Sequence, residues 1–165
     1  DGTPFADSET KDWIENLMQK ENQADKGFLV SKGDGIDDVI SRDMDEAEKQ
    51  AQADNFQSAI KGLRSKIASA SSERERFIRE VWFCRFLLKN NKKELVFPYS
   101  KSILEIIDNY RLDQWEPELA VSAYETILSG LSKLKDEGAE NLKKDVIRRL
   151  SLIDPGRALI FLERR

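Results

Sequence analysis

Apolar residues recur along most of this chain at intervals of three and four, the spacing that lines one face of an α-helix. Trp13, Ile14, Leu17 and Met18 make a first short stripe, with Asp7 or Ser8 placed to cap it. Residues 22–35, "NQADKGFLVSKGDG", are polar and punctuated by glycine, which predicts a mobile loop. Ile36, Val39, Ile40, Met44 and Ala47 then predict a weak helix ending near Ala53. Phe56, Ala59, Ile60, Leu63 and Ile67 share a face and predict a stronger one over 55–68.

"SASS" breaks that helix, and Ser71 or Ser72 can cap the next, with Glu73 and Glu75 in a first turn where the helix dipole favours acids. Glu75–Arg79 and Arg76–Glu80 stand four apart. They read as an exposed face, each pair contributing about 0.2–0.5 kcal/mol. The same helix continues as "VWFCRFLL", in which Val81, Trp82, Phe83, Cys84, Phe86, Leu87 and Leu88 surround nearly the whole circumference. A helix apolar on every side must be covered on every side. Two arrangements satisfy that: a central helix enclosed by its neighbours, or one face turned toward another subunit.

"KNNKKE" predicts a turn, and Pro98 behind it fits only a first helical turn. Phe97, Ile103, Leu104, Ile107 and Tyr110 carry that helix to "NYRLDQWEPELAV". There Pro117 suits position N1 of a further helix, and Trp115 stands where an apolar side chain can fold back on Ala120 as a hydrophobic staple. A buried Trp115 would cost about 3–5 kcal/mol on truncation to alanine, and a rim position less. Ala120, Tyr124, Ile127, Leu131 and Leu134 define the next stripe, and Leu142, Val146, Ile147, Leu150 and Ile153 the one after "KDEG". Asp154 can cap a short final helix, "DPGRALIFL", with Pro155 at N1. No strand pattern competes. The fold class predicted is all-α, with antiparallel helical hairpins stacked in a repeat-like bundle whose starts recur at about 40 residues.

Composition adds a division. Residues 1–54 hold 15 acidic and 6 basic side chains, and residues 55–165 hold 16 and 21. We therefore expect an acidic N-terminal arm over 1–54 and a helical assembly domain over 55–165. The basic side chains are spread among glutamates without aromatic interleaving, so nucleic acid is not an expected partner. Lys143, Lys144, Arg148 and Arg149 merely flank a core stripe. The chain opens at Asp1 and reads as a piece of a longer protein. No apolar run approaches the ~20 residues that span a bilayer, so direct membrane insertion is not expected.

Candidate chemistry is sparse. The 165 residues include no histidine, which removes Ser–His and Cys–His nucleophile pairs and histidine-based zinc sites. "SKGDG" lacks the spacing of a phosphate-binding loop. Cys84 has no partner for an internal disulfide and sits in an apolar run, the setting of a buried structural thiol. No catalytic, cofactor-binding or metal residue is assigned.

"WEPELAVSAYETIL" followed by "VIRRLSLIDPGRAL" resembles the C-terminal region of the TssA (ImpA-like, VasJ) proteins of bacterial type VI secretion. The resemblance rests on Trp115, Glu116 and Pro117, then on Leu150, Asp154, Pro155, Ala158 and Leu159; Ile153 stands where leucine is usual. "DGTPFADSETKDWI" and "DNFQSAIKGLRSKIASASSERERF" resemble earlier segments of such proteins, whereas residues 22–50 match no segment. The resemblance implies a non-enzymatic cytoplasmic role: ring-shaped homo-oligomers that coordinate growth of the contractile tail tube and sheath from the baseplate. Implied partners are the tube protein, sheath subunits and baseplate or membrane-complex components, with no cofactor. A related branch caps the far end of the sheath, and a monomeric helical-repeat adaptor that binds peptides is the alternative outside the family. Trp82, Phe83, Phe86, Leu159, Phe161 and Leu162 are the candidate oligomer interface, although "ALIFL" also suits packing on its own core.

Overall fold

A computed structural model describes residues 35–163. Among these residues the chain forms eight α-helices, one 3-10 turn and no strand, as the stripes predict. The helices are α1 (Ile36–Gln52), α2 (Phe56–Ala68), α3 (Glu73–Lys89), α4 (Val96–Tyr110), α5 (Leu112–Trp115), α6 (Pro117–Leu131), α7 (Glu137–Ile153) and α8 (Pro155–Glu163), with the 3-10 turn at Lys93–Leu95. The helix expected around Trp13 and the loop expected over 22–34 lie outside the described residues.

Chain ends of the helices follow from local chemistry. Ser72 Oγ accepts from Glu75 N at the start of α3, and Asp136 Oδ1 does the same for Ala139 N at the start of α7. Past α3, Asn91 adopts a left-handed φ of 58°. Lys92 N–H then reaches back to the Leu87 carbonyl at 2.8 Å and Asn91 N–H to that of Leu88 at 3.1 Å. This double closure satisfies carbonyls that would otherwise be orphaned, and asparagine tolerates the left-handed state better than most residues.

Helix α3 is the centre. It packs against α1, α2, α4 and α6. Phe77, Ile78, Val81, Phe83, Cys84, Phe86 and Leu87 are all buried, each large side chain contributing about 1.5–3 kcal/mol. Most of the circumference that could have met another subunit is thus enclosed by the chain's own helices, with Trp82 and Leu88 left half-buried. Burial also makes Cys84 inert, pushing its thiol up to about 12, where almost no nucleophilic thiolate exists at neutral pH.

Two expectations are corrected. Helix α1, which the charge division assigns to the arm, packs into the body through Ile40, Met44 and Ala47, and the compact unit begins at Gly35 rather than after residue 54. Charge marks solvent exposure, and α1 is acidic on the outside while apolar on the inside. The Glu75–Arg79 pair is not an exposed face either. Arg79 is only 7% exposed; its Nη1 donates to Asp43 Oδ2 of α1 and its Nε to Glu75 Oε1, both at 2.8 Å. Lys66 of α2 holds the other oxygen of Asp43, so one carboxylate ties three helices together. Burial pushes the Asp43 carboxyl up, but hydrogen bonds from Lys66 and Arg79 outweigh it and hold it below its ordinary value.

Contacts at both ends show that the long helices alternate in direction. Near the start of α3, Arg74 grips Glu116 at the head of α6. Near its finish Phe83 meets the early Tyr99 of α4 edge to face, with centroids 5.2 Å apart. Gly130, late in α6, lies against Val96, the first residue of α4; a Cβ there would stand 2.6 Å from Val96 Cγ1. Only a residue without a side chain fits that crossing.

Candidate assembly surface

The Trp-Glu-Pro turn is where sequence and structure part most sharply. Arg111 adopts a left-handed φ of 52° and ends α4; the chain then makes the four-residue α5 before Pro117 opens α6. That extra turn swings the indole outward. Trp115 is 79% exposed, so it is no staple, although Ala120 beneath the expected contact is fully buried. Ala120 is covered by neighbouring helices instead. The turn is anchored by Glu116, whose carboxylate accepts from Arg74 Nε and Nη2, both at 2.9 Å. Such bidentate pairing fixes direction as well as distance.

The second motif splits into structural and exposed members. Leu150 and Ala158 are buried and join α7 to α8. Asp154 Oδ1 accepts from Arg157 N at 3.0 Å and Pro155 occupies the first position of α8, so the predicted cap is present. Leu159 is 54% exposed, and Ile160 and Leu162 are exposed with it. Leu152, the penultimate residue of α7, is 77% exposed.

Of the six candidate interface residues, Phe83 and Phe86 belong to the core. They are 1% and 3% exposed, because Tyr99 covers one and Phe56 stacks on the other at a centroid distance of 5.5 Å. A side chain so enclosed cannot contact a second copy. Trp82 and Phe161 are half-buried, and the Arg85 guanidinium lies 5.6 Å from the Trp82 ring centroid. Leu159 and Leu162 are on the surface.

The stripes do not mark Leu152 and Tyr110 as surface groups, and Ile160 falls in the "ALIFL" segment already expected to offer surface. A signal existed for Leu152: it falls off the stripe of Val146, Leu150 and Ile153, at a register where a solvated helix carries a polar residue. Of these, Leu152 and Tyr110 lie toward one end of the molecule. Arg149, late in α7, donates to both oxygens of Asp108, late in α4. Arg157, at the start of α8, lies 3.9 Å from Glu118, next to the Trp115 turn. The exposed aromatics Tyr110 and Trp115 and the exposed end of α7 therefore share that end.

Comparison with known proteins now bears on this surface. Residues 1–127 match the family model described as "Type VI secretion, EvfE, EvfF, ImpA, BimE, VC_A0119, VasJ". The chain belongs to this family. The matched span takes in the Trp-Glu-Pro turn and most of α6 but stops short of α7 and α8, so the Leu-Asp-Pro segment lies beyond it. No curated protein and no solved structure matches the chain.

Family members are components of type VI secretion, and this chain is accordingly a type VI secretion protein. Among the described residues no helix is long and apolar enough to cross a membrane, and no cluster of three or more His, Cys, Asp or Glu could hold a metal ion. What this region offers is shape and apolar surface.

Proposed function

We propose that this chain is a non-enzymatic, self-assembling scaffold that coordinates growth of the secretion tail. Copies join into a ring, and the ring organises tube and sheath subunits at the baseplate in the cytoplasm. The observation that carries this reading is the set of exposed apolar side chains Leu152, Leu159, Ile160 and Leu162, which a lone helical body would leave in water. Several large apolar side chains exposed on two adjacent helices suit an interaction surface. Trp82 and Phe161 form the half-buried margin of the contact.

Light-scattering mass of the purified chain is the test. A discrete species several times the 19.0 kDa of one chain, stable on dilution, is the expected result. A 19.0 kDa species at every concentration would overturn self-assembly and favour the adaptor reading. Sheath-end capping is separated from baseplate assembly by locating the labelled protein along the tail, where the proposal expects the baseplate end.

A further inference from the structure

We infer that the Trp115 turn of one copy seats in a groove between Phe56 and Leu95 of the next. This inference rests on the self-assembly reading and names its two halves. Phe56, Gln57 and Ile60 of α2 face Lys92, Glu94 and Leu95 beyond α3 across an open cavity of about 440 Å3. Phe56 is anchored by stacking on the buried Phe86, with 11° between the rings, and the Lys92 ammonium lies 5.9 Å from its centroid. Leu95 is exposed at the opposite wall. An apolar floor with a cation at its lip suits an aromatic side chain, whose π face attracts the cation.

The Trp115 ring has the matching form. It projects from a turn fixed by the Arg74–Glu116 pair and by Pro117, so little freedom is lost when it docks. An aromatic side chain buries roughly 150–250 Å2, and tryptophan is among the residues enriched at the anchoring positions of protein contacts. Charges also complement one another. Exposed Asp113 and Glu118 flank the indole against one exposed base, Arg111, whereas Lys92 lines the groove beside Lys93 against one acid, Glu94.

Position decides the kind of contact. Arg74, beside the Trp115 turn, is the second residue of α3, while Phe86 and Lys92 lie at and past its other end. Seventeen residues of helix span ~25 Å, so knob and groove are at opposite ends of the body. They cannot meet within one copy. A contact between two unlike patches at opposite ends is head-to-tail; it closes into a ring where the rotation between copies allows and otherwise runs on as an open filament. Exposed Leu152, at the end of α7, lies toward the knob end and would cover the margin of the same joint.

A mixing experiment tests this. Trp115→Ser removes the knob and leaves the groove; Leu95→Asp spoils the groove and leaves the knob. Both positions are exposed, so the far-ultraviolet circular dichroism of each variant should equal that of the parent. Each variant alone should scatter as a species below the parent mass. An equimolar mixture should form a pair of about twice 19.0 kDa and nothing larger, because only one intact joint remains. If both variants keep the parent mass, or if they dissociate and the mixture forms no pair, this contact is wrong while self-assembly stands. If the parent itself is a single 19.0 kDa chain, the self-assembly reading fails with it.

Discussion

"VWFCRFLL" and "ALIFL" read alike, yet they meet opposite fates. The first lies in α3, where Phe83, Cys84 and Leu87 are enclosed by four helices. The second lies in α8, which packs mainly on α7 and buries Ala158 while leaving Leu159, Ile160 and Leu162 at the surface. The difference is one of neighbours rather than of hydrophobicity. Helix α3 is met by α1, α2, α4 and α6, whereas α8 is met chiefly by α7. Apolar surface is therefore left on the helix with the fewest partners among the described residues, and under the self-assembly proposal a second copy covers it.

Substitutions should separate the two regions. The largest effect is expected in the enclosed run: Phe83→Ala should cost about 3–5 kcal/mol in urea denaturation, through lost burial and a cavity. A cost under 1 kcal/mol would mean that α3 is less enclosed than described. Arg79→Ala should follow at about 3 kcal/mol, because Asp43 and Glu75 lose a partner in a site largely shut off from water. Gly130→Ala should destabilise by roughly 1–2 kcal/mol, since the clash with Val96 exceeds the gain in helix propensity. A raised melting temperature would show that α4 and α6 can part freely.

Acid should reveal the same polar layer. Hydrogen bonds from Ser71 and then Arg79 hold the Glu75 carboxyl at about 2, below its ordinary 4.5. A depressed carboxylate stabilises the fold above its unfolded value and loses that contribution as pH falls through the folded one. The stability gap between the parent and Glu75→Gln should thus be constant above pH 4.5 and close as pH falls toward 2. Glu80 has the opposite sign. Burial raises its carboxyl and Arg76 offsets this only in part, so Glu80→Gln should be neutral or stabilising at pH 7 and the difference should vanish in acid.

The smallest effect on stability is expected in the second run. Leu159→Ser, on a surface helix, should shift unfolding by no more than about 0.5 kcal/mol.

Helix positions were legible because core stripes repeat at the helical period and caps such as Ser72 and Asp154 mark their starts. The Trp-Glu-Pro turn was not, since nothing in "RLDQW" announces that Arg111 will turn left-handed and insert α5. Asp43 was equally hidden: a carboxylate shared by Lys66 and Arg79 requires three helices to be in place before its partners are visible. Periodicity also cannot tell an apolar face covered within the chain from one left open, which is why Phe83, Phe86 and Leu159 were grouped together as interface candidates.

The most direct test compares masses by light scattering for the parent and a Leu152→Ser/Leu159→Ser variant at equal concentration. The account predicts a large discrete parent and a much smaller variant, with identical helical circular dichroism. Equal masses for the two would contradict it.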